Sequence, residues 1–63
     1  MATDRELWAL TLMVERDHGQ GAPRYIAEKI GAAAIAGDWT GVAMWKGVAA
    51  RFDQLKSQPS SGA

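Results

Sequence analysis

The chain has one histidine, His18, with a glutamate three residues before it, Glu15. On a helix, Glu-x-x-His places both side chains on one face, the spacing used for metal ligands in di-metal carboxylate bundles. Those centres need two such pairs and two further glutamates. A two-fold copy of this chain supplies a second pair but leaves the other carboxylates unplaced. The simpler role for His18 is at a helix C-terminus, where a positive side chain suits the dipole. Arg16, Asp17, Arg24 and Glu28 gather around the turn that follows. They read as a local salt-bridge network rather than an acid/base pair. No Ser-His-Asp set is recognisable, and the chain has no Gly-x-x-x-x-Gly-Lys phosphate loop and no cysteine. The lack of cysteine removes disulfides, thiolate zinc sites, iron–sulfur clusters and a thiol nucleophile together. No metal, cofactor, small-molecule substrate or catalytic activity is expected.

The elements that must carry these residues are helical. "TDRELWALTLMVERDHG" opens with Thr3 and has Glu6 three residues on, a capping-box pattern, with Asp4 and Glu6 at the positive end of the dipole. Gly19 suits the position after the last turn, because it takes positive φ without a Cβ penalty. This predicts a helix over about 4–18. In "QGAPRYIAEKIGAAAIAG", Pro23 belongs at the first helical position and Gly37 terminates, predicting a helix over about 23–36. Gly31 lies inside that pattern, at a cost of about 1 kcal/mol relative to Ala. Its expected use is a bend or the close approach of another helix. "DWTGVAMWKGVAARFDQLKS" predicts a third helix over about 39–56, with Asp38 as its N-cap.

β-Branched residues do not alternate with polar ones over a useful length, so strands are not expected. Short connections imply antiparallel neighbours. The predicted architecture is all-α, a compact three-helix bundle over residues 1–56, followed by a polar, disordered tail at 57–63. Its core is expected from Leu7, Leu10, Val14, Ile26, Ile30, Val42, Trp45, Val48 and Phe52. Thr11 and His18 fall on the same face of the first helix as Leu7, Leu10 and Val14.

Seven basic residues balance seven acidic ones. A nucleic-acid binder usually carries a basic excess or stripe, and here Arg5, Arg16, Arg24, Lys29, Lys46, Arg51 and Lys56 are scattered. "IAEKIG" opens like a helix-turn-helix, but the helix after it begins "WTGVAMW", with no Arg, Asn or Gln near its start to read base edges. A degenerate DNA-binding regulator is therefore the second reading and not the first. No apolar run approaches the roughly 18 residues of a membrane span. "MATDREL" has no basic region leading into an apolar one, so no secretory signal is expected and a cytoplasmic location is the default. The stretch from Gly31 to Ala49 looks like the second half of a tetratricopeptide repeat, but its Gly31-to-Gly37 interval is one residue short. Only one unit is present, and about three are needed to bury a continuous core. The likeness is that of any αα-hairpin.

The segments "ELWA", "VERDHG", "PRYIAEKIG", "AGD" and "VAMWK" resemble a group of very small helical proteins of sphingomonads and related alphaproteobacteria, filed as a domain of unknown function. The likeness spans about residues 4–55. It implies a bacterial cytoplasmic protein and carries no functional residues with it.

What remains is apolar surface. The first helix is apolar over more of its circumference than one core stripe requires. Trp8, Leu12, Met13, Ile35, Trp39 and Met44 fall outside the expected core and form the candidate partner interface. Trp45 is in register with the core; Trp39, about 120° away at the helix start, is not. The expected function is a small protein-interaction or regulatory module, with a protein partner or a second copy (a homodimer) on that surface.

Overall fold

A computed structural model describes residues 3–57. Helix α1 runs Asp4–His18. Its capping box closes both ways: Thr3 Oγ1 accepts the Glu6 amide at 3.2 Å, and Glu6 Oε1 accepts the Thr3 amide at 2.8 Å. Helix α2 runs Ala22–Ile35, with Pro23 in its first turn. There the missing N–H is one of the four that no intrahelical carbonyl would meet.

The expectation of three separate helices is corrected at the first connection. No loop separates the helical elements from Asp4 to Ile35, because residues Gly19–Gly21 form a 3₁₀ turn that joins α1 to α2. The molecule is one long bent helix with a second helix, α3 (Trp39–Ser57), packed along it. The bend has a local cause. Gly19 takes φ 51° and ψ −119°, which redirects the chain. Gly21 then stays right-handed at φ −84°, and the Ala22 amide bonds the Gly19 carbonyl. A glycine pair that reads as a break in sequence is drawn into a tightened i→i+3 turn. The tail expected at 57–63 begins inside α3 at Ser57 and otherwise lies outside the described residues.

The second connection is a true stop, built from three residues. Gly37, at φ 72°, lets the chain leave α2. Its amide bonds the Ala34 carbonyl at 3.1 Å, and the Asp38 amide bonds the Ala33 carbonyl at 2.9 Å. This is the paired pattern of a Schellman motif. Asp38 also serves α3, because its Oδ1 accepts the Gly41 amide at 2.9 Å. One residue thus ends one helix and caps the next, as its N-cap assignment requires.

α3 packs against both α1 and α2, which touch each other less. Val14, Ala22, Ile26, Val48 and Phe52 form one buried cluster. Leu7, Leu10, Tyr25, Ile30, Trp45 and Ala49 pack around it half-covered. Val42 is buried too, so every expected core residue lies in or against the core. Thr11 is fully buried among them, and its hydroxyl donates to the Leu7 carbonyl at 2.6 Å. That back-bond satisfies the one polar group this face of α1 carries inside.

Gly31 serves no close approach. A Cβ built there meets nothing within 4 Å. The glycine that another helix approaches is Gly47 on α3, where a Cβ would sit 3.3 Å from Leu7 Cδ1. The start of α1 therefore lies close over the middle of α3. Gly31→Ala should raise stability by about 1 kcal/mol, since it restores helix propensity in open space. Gly37→Ala should lower it by about 1–2 kcal/mol, since an L side chain disfavours positive φ. Urea unfolding of the two variants beside the parent chain measures both signs.

Candidate interaction site

The structure disperses the candidate partner residues rather than gathering all six. Leu12 and Met13 stand exposed on α1, at 52% and 46% of their free surface. Ile35 and Trp39, at 91% and 68%, flank the α2–α3 turn. Trp8 and Met44 are half-buried. Trp8 lines a small polar cleft between α1 and α3, together with Asp4, Arg51 and Gln54. Trp45 packs against the core, as its register predicts.

The residues that suggested chemistry have structural occupations. The Glu15 carboxylate faces Lys56 Nζ at 3.8 Å, joining α1 to the end of α3. His18 is stacked on Tyr25, with ring centroids 3.9 Å apart and planes 18° from parallel. Tyr25 in turn meets the edge of Trp45 at 5.9 Å and 81°. The three rings form a ladder across both arms of the bent helix and α3, one rung on each. Lys29 Nζ stands 5.3 Å from the Tyr25 ring centroid, within cation–π range. The expected network of Arg16, Asp17, Arg24 and Glu28 resolves into two local pairs, Arg16–Asp17 at 3.3 Å and Arg24–Glu28 at 3.8 Å. Both are well exposed, so each adds at most about 1 kcal/mol.

Sequence reasoning did not find the longest-range polar contact. Arg51 on α3 grips Asp4 in the first turn of α1 through Nε and Nη2, and its Nη1 donates to the Gly47 carbonyl at 3.0 Å. The guanidinium is thus held over Gly47, where the absence of a side chain leaves room. No sequence signal links residues 4 and 51; only the placement of α1 on α3 does. Among the described residues, no three His, Asp or Glu side chains gather as a metal set. No buried side-chain polar atom among them lacks a partner.

One further surface feature stands out. Between α2 and α3 runs a groove of about 370 Å³. Ile26, Ile30, Ala49 and Phe52 form its wall and floor, and Asp53 and Lys56 stand on its α3 side. None of these belongs to the candidate partner set. Each is placed by the core register that buries its neighbours, so the groove follows from two helices covering an area that a further helix would close.

These features define a small all-helical protein with one core cluster, no assembled reactive constellation among the described residues, and apolar side chains left outside. The chain belongs to the family of unknown function DUF6961, whose profile matches residues 3–60. No curated protein and no solved structure matches it. No helix among the described residues is long and apolar enough to cross a membrane.

The aromatic ladder yields a prediction. Tyr25→Leu keeps an apolar side chain but removes both ring contacts, and should cost about 1–2 kcal/mol. His18→Ala removes only the outer rung and should cost less. A double-mutant cycle between Tyr25 and Trp45, read by urea unfolding, should show a coupling of about 0.5–1.5 kcal/mol.

Proposed function

We propose that this protein is a small interaction or regulatory module that works by contact with another protein chain, a second copy among them, and not by catalysis. The observation that carries the reading is the exposure of Leu12, Met13, Ile35 and Trp39 on a chain with only six fully buried apolar residues among those described. A chain this short can ill spare large apolar groups from its core, since it buries only about 60% of the surface its unfolded form exposes. Apolar groups left outside usually mark contact sites when they gather into patches. Here Ile35 and Trp39 flank the same α2–α3 turn, while Leu12 and Met13 are successive residues that point about 100° apart around α1. The charge balance supports the same reading, because equal numbers of acidic and basic residues set up little repulsion between copies. The setting that goes with it is the cytoplasm of an alphaproteobacterium, the sphingomonads included.

Association that stabilises the folded chain makes melting depend on concentration. Sedimentation velocity and thermal melting across about a hundredfold range of concentration should show mass and melting temperature rising together. A constant monomer mass with a constant melting temperature contradicts self-association.

A further inference from the structure

We propose that the turn from Gly19 to Pro23 is a lock that keeps α1 on its own α3, and that the form it holds off is an exchanged dimer. In that dimer α1 and α2 run on as one kinked helix, and α1 packs on α3 of a second copy. The proposal stands apart from association through Leu12, Met13, Ile35 and Trp39.

The occupant of this α3 face is already seated on it. α1 is held there by Asp4–Arg51, by Glu15–Lys56 and by Leu7 over Gly47. Each contact joins α1 to α3 and none involves the turn, so α1 of a second copy can make every one of them. Exchange of that kind is a low-cost route to dimers because it needs no new surface. The sequence also carries one inward stripe through the turn. On α1 it is Leu7, Thr11 and Val14, and on α2 it is Ala22, Ile26 and Ile30. His18 lies four residues from both Val14 and Ala22, so the helical spacing never breaks. Two such helices crossing antiparallel at Gln20 set Val14 of one copy opposite Ile26 of the other. Those two residues share the core cluster within a single chain.

Two residues oppose the exchanged form. Of the residues joining α1 to α2, only Gly19 has positive φ, at 51°. That conformation makes the bend, and an L side chain resists it. Pro23 acts from the other direction. In a continuous helix its ring would meet the carbonyl four residues back, which is that of Gly19, and one helical hydrogen bond would be lost. In the bent chain the Gly19 carbonyl accepts the Ala22 amide instead, and Pro23 stands in a first turn where its missing N–H costs nothing. A Cβ at Gly19 meets nothing within 4 Å and Pro23 is exposed, so both act through the backbone.

The test is Gly19→Ala combined with Pro23→Ala, which strains the bend and frees the continuous helix. Gly21→Ala is the control, because Gly21 is right-handed at φ −84° and a Cβ there also meets nothing. Ordinary and heavy-isotope chains are mixed in urea, refolded together and treated with a carbodiimide, which joins Glu15 to Lys56 where they stand 3.8 Å apart. Mass spectrometry then reads whether each Glu15–Lys56 link joins like or unlike chains. The double variant should sediment at twice the chain mass, with about half of its links between unlike chains, as random pairing of two equal pools requires. The parent chain and Gly21→Ala should link like chains only. A double variant that stays a monomer overturns the proposal. So does one that circular dichroism shows unfolded at every concentration, since the exchanged form strains neither substituted position. A dimer whose links stay within like chains overturns the exchange and puts the contact on another face. Unlike-chain links as abundant in the parent as in the double variant overturn the lock.

Discussion

The structure depends on the face of α3 that carries Val48 and Phe52. Val48 has no exposed surface, and Phe52, one turn further on, is nearly as well covered. The bent helix places Val14 from one arm, and Ala22 and Ile26 from the other, into the same cluster. The two arms touch each other less than either touches α3. Neither arm has another apolar surface to fold against, and helices of about 15 residues are marginal alone in water. Asp4–Arg51, Glu15–Lys56 and the ring ladder then lock the arms onto α3 from outside.

That arrangement limits what the protein can do. Two of its ion pairs, Asp4–Arg51 and Glu15–Lys56, hold α1 to α3, and its one histidine is stacked on a tyrosine. What the fold leaves unused is apolar: two side chains on α1, two at the α2–α3 turn, and the groove above the core. That surface is what the proposed role in contact with another chain rests on. The same economy accounts for the groove. Two helices cannot enclose the whole perimeter of a core that contains residues as large as Phe52 and Ile26, and the groove is the side left open.

Much of this was legible in sequence where the cause is local. Thr3 and Glu6 announce their own capping box. Asp38 after Gly37 marks a helix end and a helix start together. The 3–4 spacing from Val42 to Phe52 sets the core face of α3, and separates Trp45 from Trp39. The rest depends on where helices meet. "GQG" reads as a break, yet one glycine at positive φ followed by right-handed residues keeps the run helical. Gly31 looks like a contact glycine and faces open space, whereas Gly47, unremarked in sequence, is the one that Leu7 and Arg51 approach. Thr11 was visible on the inner face of α1, but its burial needed the Leu7 carbonyl as partner. Of the six candidate partner residues, Leu12, Met13, Ile35 and Trp39 stand exposed as their register suggests, and tertiary packing draws Trp8 and Met44 halfway in. The groove had no sequence signal, because it is made by the space between two helices rather than by either one.

The central claim is that the two arms and α3 form one cooperative unit around Val48. Native-state hydrogen exchange tests it most directly, since it reports the opening free energy of each segment separately. The account predicts one shared opening free energy for the amides of Val14 on α1, Ile26 on α2 and Val48 on α3, equal to that of global unfolding. Exchange at Val14 through a much easier opening, with Ile26 and Val48 still protected, would contradict it by showing α1 to be a detachable arm on a self-sufficient α2–α3 hairpin.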